Sequence, residues 1–251
     1  MTDELLFSLR VTIVSGSRND RDLFRQAAAD RIVPIELFEA DGAASAGRAI
    51  AGGVDLAFFD DALGDEAVAK MTSAARAASP RPFTVLLRAP RVKTPFKTDA
   101  VADKPSQPED AAHLLARAIY VRLPSRVLVV DDSGTMRSIV RKILAATRFP
   151  LEVVEAEKGG DAVELMRERD FDLAFVDYNL PGLSGLETIT EIRRAQRNPT
   201  FVLITSLDEE AIVELAHAYG IAFLKKPFFT ADIEAILCGL YGLRALNPNR
   251  A

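Results

Sequence analysis

The sequence is poor in the residues on which whole classes of function depend. It has one cysteine, Cys238, in 251 residues. That excludes intrachain disulfides and cysteine-rich metal centres, and it fits a reducing compartment. It has no excess of positive charge: 31 Lys and Arg stand against 36 Asp and Glu, a formal net charge of −5. Nothing here encourages a nucleic-acid partner, which a cationic surface would recruit. No stretch approaches the ~18 apolar residues of a membrane-spanning helix. The opening Met1-Thr2-Asp3-Glu4 is acidic where a secretory leader carries positive charge. The expectation is a cytoplasmic protein with neither nucleic acid nor membrane as partner. The length suggests one large or two ordinary domains, and 49% hydrophobic residues provide for real cores.

What is present is organised around Arg126 to Asp132, an aliphatic run ending in two adjacent carboxylates. Such a run fits a strand buried on both faces. Ser133-Gly134-Thr135 then opens a pattern of helical period: Met136, Ile139, Val140, Ile143, Leu144. The acids therefore sit at the C-terminal end of a strand, where open α/β sheets bind ligands. Like charges about 4 Å apart repel by roughly 1 kcal/mol in water and by more in a pocket, so a pair at this rim calls for something positive. Three more buried strands follow. Phe171 to Val176 ends in Asp177, Phe201 to Ile204 in Thr205-Ser206, and Ile221 to Leu224 in Lys225-Lys226-Pro227. Each brings a polar group to one edge of one parallel sheet.

The ordered set Asp131-Asp132, Asp177, Thr205 and Lys226-Pro227 resembles the receiver domain of bacterial response regulators, most closely the chemotaxis type, over residues 126–245. The resemblance implies a flavodoxin-like domain: a doubly wound, five-stranded parallel sheet of order 2-1-3-4-5. After Thr230, which is expected to cap the last helix, only a short tail remains, and no output domain is expected.

The first half repeats the pattern. Val54 to Asp60 aligned with Phe171 to Asp177 gives five identities in seven positions, among them Asp60 with Asp177. Arg10 to Val14 aligns with Arg126 to Val130, and Lys104-Pro105 with Lys226-Pro227. The expected domains are a degenerate receiver at 1–122, a short linker at 123–125 and a phosphoacceptor receiver at 126–251. The damage is specific. Ser15-Gly16 stand where Asp131-Asp132 stand, and Arg88 replaces Thr205. The interval from Asp60 to Lys104 is 44 residues, against 49 from Asp177 to Lys226. The deficit falls on the expected fourth helix, where Pro90 and Pro95 argue for a loss or a loop. In this half a reading with Arg88 and Lys104 holding Asp60 and standing in for a metal is set against an inert strand-end acid.

For the second half the resemblance implies phosphoryl transfer to Asp177 from a phosphohistidine on a sensor histidine kinase or histidine phosphotransfer protein. It implies Mg²⁺, with Mn²⁺ as a substitute, held by Asp132, Asp177 and the backbone carbonyl of Asn179, with Asp131 acting mainly through water. Lys226 and Thr205 would bind phosphoryl oxygens, and a cis Lys226-Pro227 bond goes with the motif. Phe223 is either plain core or, with Thr205, the switch that reports phosphorylation. Such a protein phosphorylates and dephosphorylates itself and is not a turnover enzyme. It would signal to a downstream protein that the sequence does not name, with pairing between domains or between copies. Two alternatives stand beside it: a scaffold in which neither half is phosphorylated, and an Asp-nucleophile phosphatase. The latter wants Asp-x-Asp, whereas Asp177-Tyr178-Asn179 lacks the second acid.

Overall fold

The computed structural model describes residues 8–29, 33–88, 98–195, 197–206 and 210–245. The described residues through Arg122, joined by Tyr241 to Ala245, form one compact unit, and Leu123–Leu240 forms the other. The first unit runs β1 (Leu9–Val14), α1 (Arg18–Ala29), β2 (Ile35–Ala40), α2 (Ala43–Ala51), β3 (Leu56–Asp60), α3 (Asp65–Ala77), β4 (Phe83–Arg88), β5 (Ala100–Asp103) and α4 (Pro108–Tyr120). The second runs β6 (Ser125–Val130), α5 (Gly134–Ala145), β7 (Leu151–Ala156), α6 (Gly159–Glu168), β8 (Leu173–Asp177), α7 (Gly185–Arg194), β9 (Thr200–Thr205), α8 (Glu210–Ala218), β10 (Ala222–Lys225) and α9 (Thr230–Leu240). A two-residue strand, β11 (Arg244–Ala245), then joins the sheet of the first unit.

Both sheets have the order of a flavodoxin-like domain, so the chain carries two α/β domains of this kind in tandem. The second sheet reads β10-β9-β8-β6-β7, every neighbour parallel. The first reads β11-β5-β4-β3-β1-β2, with five parallel strands and β11 antiparallel at the edge. The strands in the middle of each sheet are buried on both faces, as βαβ crossovers require: β3 and β8 are buried at every position. Edge strands β2 and β7 carry the charges instead, each with two exposed glutamates in the same places.

The repeat extends to registers and ion pairs. Leu9 faces Ile35 and Ser125 faces Leu151, each equivalent pair 116 residues on. Arg10 pairs with Glu36 at 3.1 Å, and Arg126 with Glu152 at 3.2 Å. The Arg10 and Arg126 amides donate to Asp55 and Asp172 at 2.9 and 2.8 Å. These acids hold the last turn before β3 and β8 onto β1 and β6.

Several sequence expectations need correction. The first sheet has six strands, not five, because residues after 240 return to it. The second strand starts at Ile35, directly after Pro34, which has no amide to donate to a ladder. Thr230 is the first helical residue of α9 rather than its cap, and the Phe229 amide is held by the Asp232 carboxylate at 2.9 Å. The expected loss of the first domain's fourth helix falls on residues 89–97, which lie outside the described residues.

Phe175 is fully buried in β8. Phe175→Ala should destabilise the second unit by about 3–5 kcal/mol. Hydrogen exchange of β6 and β8 amides would read this loss, and unchanged protection would contradict the packing described.

Candidate functional site

Strands β6 and β8 are neighbours, and β7 continues on the other side of β6. Chain direction across the sheet reverses at this point, the position where open α/β sheets form a crevice at the carboxyl ends of strands. Asp131 and Asp132 follow β6, and Asp177 ends β8. Their carboxylates each bring an oxygen within 4.8 Å of the others, with Asp131 and Asp177 buried and Asp132 exposed. Hard oxygen donors so placed suit a divalent cation of the Mg²⁺ kind, which takes one or two carboxylates and keeps waters.

The cation supplied by the chain is Lys226, which follows β10 two strands from β8. Its Nζ lies 2.7 Å from Asp177 Oδ1 and 3.0 Å from Asp131 Oδ2. The Lys226 amide donates to the Thr205 carbonyl at 2.7 Å, which ties the lysine to the end of β9. The Lys226–Pro227 peptide bond is cis. Thr205 is fully buried at the same rim. Asn179 is exposed in the loop after β8, and Phe223 is half-buried against the core beneath.

The loops that carry these groups are held from below. The Ser133 amide donates to Asp131 Oδ1 at 2.9 Å, and Ser133 Oγ caps α5 by accepting from the Met136 amide. Arg137 Nη1 donates to the Asp131 carbonyl at 2.6 Å while its Nε pairs with Glu155 of β7 at 3.2 Å. On the other side, Ser184 and Glu187 form a capping box at the start of α7. Gly185, its first helical residue, rests on the strand end: a Cβ there would stand 2.3 Å from the Asp177 carbonyl oxygen. Only glycine allows that approach.

One ammonium among three carboxylates leaves the rim with surplus negative charge. Burial pushes the Asp177 carboxyl above its ordinary pKa, and the charges on Asp131 and Asp132 push the same way; the hydrogen bond and charge of Lys226 offset only part of this. Burial pulls Lys226 down, but its bonds to Asp177 and Asp131 outweigh that and leave it raised. A group entering here meets an acid that gains from added positive charge.

The equivalent rim of the first unit is differently filled. Ser15 stands at the place of Asp131, and Asp60, 1% exposed, at that of Asp177. Lys104 Nζ lies 2.8 Å from Asp60 Oδ2 and 2.7 Å from Asp20 Oδ2. Ser15 Oγ lies 2.7 Å from both of those carboxylate oxygens and accepts from the Ser17 amide at 3.1 Å. Asp20 is the residue that sequence reasoning missed. Extending the alignment of Arg10 with Arg126 puts it at the position of Met136, one helical turn above the loop, and that comparison was the available signal. Among the described residues it is Lys104, not the guanidinium of Arg88, that bonds Asp60. The expected pairing of Arg88 with Asp60 is therefore corrected: Leu87, not Arg88, stands opposite Asp60 in the register, and side chains alternate between faces along a strand. Burial tends to raise Asp20, but its bonds to Lys104 and Ser15 prevail and lower it.

Known proteins match the unit that carries three acids. The family model described as the response regulator receiver domain matches residues 127–237. Chemotaxis protein CheY-3 of Vibrio cholerae serotype O1 is 31% identical over 112 residues, which are 43% of this chain and 85% of that protein. Chemotaxis protein CheY of Bacillus subtilis strain 168 is 32% identical over 114 residues, 44% of this chain and 93% of that protein. A solved two-component system response regulator/GGDEF domain protein covers 93% of this chain and 98% of its own, with a TM-score of 0.56 and 22% identity, a likeness of fold across both units. No described helix is long and apolar enough to cross a membrane. With relatives above 30% identity covered over more than four fifths of their length, and with the receiver model lying on the strands that build this site, the chain belongs to the response regulator receiver family.

Proposed function

We propose that the second unit is a phosphoacceptor that takes a phosphoryl group on Asp177 from a phosphohistidine of a sensor histidine kinase or phosphotransfer protein. The observation that carries this reading is the convergence of Asp131, Asp132 and Asp177, with Lys226 bonded to two of them. In the transfer an Asp177 carboxylate oxygen forms the new P–O bond, the donor's P–N bond breaks, and the imidazole leaves with the electron pair. Such transfers depend on position and charge more than on covalent help. Asp132, Asp177 and the Asn179 carbonyl would hold Mg²⁺, with Asp131 acting through water. The ion supplies positive charge to the phosphoryl oxygens. Lys226 turns from the carboxylates to a phosphoryl oxygen, and the Thr205 hydroxyl donates to another. Phe223, half-buried at the adjacent edge strand, carries the change outward to a protein partner.

The first unit, a degenerate receiver, is silent in this reading. Lys104 and Ser15 already satisfy Asp60, and Ser15-Gly16 replace both acids of the Asp131-Asp132 pair.

Incubation of the full chain with acetyl phosphate and Mg²⁺ should add one phosphoryl group by intact mass. Asp177→Asn should abolish it; a group that persists in that variant would refute the assignment. Asp132→Ala should weaken Mg²⁺ binding by about tenfold or more, each factor of ten being ~1.4 kcal/mol, with the β6 and β8 amides still protected.

The two rims should also respond oppositely to acid. Asp177 binds a proton more readily folded than unfolded, so its contribution is present at low pH and is lost as pH rises through its raised folded pKa. In chelator, Asp177→Asn should therefore stabilise the second unit at neutral pH, and that advantage should vanish in acid. Asp20 is lowered, so its contribution is present above its ordinary pKa and is lost as pH falls through the folded value. Asp20→Asn should cost the first unit stability at neutral pH and not in acid. Hydrogen exchange followed separately in β1 and β6 checks both signs.

A further inference from the structure

The far edges of the two sheets are equivalent but differently covered. Aligned on the Lys-Pro pairs that follow them, Ala100-Val101-Ala102-Asp103 of β5 corresponds to Ala222-Phe223-Leu224-Lys225 of β10. Ala100, Val101 and Ala102 are 0, 2 and 5% exposed, whereas Ala222 and Phe223 are only half-buried. Lying along β5 is β11, with Arg244 opposite Val101 and Ala245 opposite Ala100. This is the one antiparallel pairing among the described strands.

The segment is fastened along its length. Tyr241 and Leu243 are 8 and 3% exposed. Gly242 turns with φ of 64°, and the Arg117 side chain of α4 fills the place of a Cβ, whose nearest approach would be 2.4 Å. The Arg244 guanidinium pairs with Asp103.

Without this cover β5 would be an open edge with three uncharged residues in a row, the kind that pairs with another chain. The opposite edge, β2, carries Glu36 and Glu39 and so protects itself. Two copies of a sheet edge related by a two-fold axis meet antiparallel, the sense in which β11 meets β5. In a self-pairing centred between Ala100 and Val101, Asp103 faces Thr98 and Asp99 faces Ala102, so no like charges stand opposite within Thr98–Asp103. We propose that Tyr241–Ala245 is an intramolecular stand-in for a second copy of this chain. It caps the β5 edge, and when it is displaced the first units of two copies pair edge to edge. This does not rest on phosphorylation of Asp177.

The test uses the full chain in chelator, without phosphodonor. Gly242→Val conflicts with both the positive φ and Arg117, and Arg244→Pro breaks the ladder; neither alters a residue of β5 itself. Light scattering across a concentration series should show both variants rising towards twice the wild-type mass. Exchange at Ala100–Asp103 should be fast in the dilute variants, slow again when they are concentrated, and slow in the wild type throughout. Protection lost at every concentration with no change in mass would overturn the proposal, because β11 would then be packing alone. Wild-type exchange at Tyr241–Ala245 as fast as in a free peptide would overturn it as well.

Discussion

A carboxylate at the buried end of a central strand is stable only with positive charge beside it. In both units that charge comes from the lysine after the last parallel strand. Lys226 spans Asp131 and Asp177; Lys104 spans Asp20 and Asp60. Removing the lysine from such a buried group typically costs about 3–5 kcal/mol, because its carboxylates are left without compensation. In each unit the lysine comes over the end of the intervening strand, at Thr205 of β9 or Arg88 of β4. What separates the units is the count of acids: three around Lys226 leave an unmet demand for cation, and two around Lys104, bridged by the Ser15 hydroxyl, do not.

The shared scaffold shows which groups serve the fold and which serve chemistry. Arg21 and Arg137 occupy the same place. Each donates to the carbonyl at the end of the first strand of its unit and faces a glutamate of the neighbouring strand. Because Arg21 keeps this arrangement where the acids at 131 and 132 have been replaced, its task is to hold the loop. The acids that Arg137 supports could be exchanged without loss of that frame. Duplicated domains in one chain thus act as an internal control for each other.

Much of this was legible in the sequence. Central strands read as aliphatic runs because both faces are buried, and the polar residue ending each run is at the rim by topology. Asp131, Asp132, Asp177, Thr205 and Lys226 could therefore be grouped without coordinates. Asp20 was not legible in the same way. It lies on a helix rather than at a strand end, and its partner Lys104 is 84 residues away, so no local pattern distinguishes it from a first-turn acid that favours a helix N-terminus. Arg88 was misassigned to Asp60 because a long cation adjacent in topology is easily given to the nearest acid. The return of the chain to the first sheet was also invisible. Arg244-Ala245 is too short to show a period, and nothing in Tyr241-Gly242-Leu243 marks a strand of a domain left behind at Arg122.

That return has a consequence for the order in which the protein is made. Asp103 and Arg244 are 141 residues apart. At roughly 5–20 residues per second, a ribosome needs on the order of 7–28 s to produce the second after the first. Throughout that interval the nascent first domain has its five parallel strands and no sixth, and its last edge stays bare while the whole of the second domain emerges behind it. The first domain is the earlier to begin folding and the later to finish.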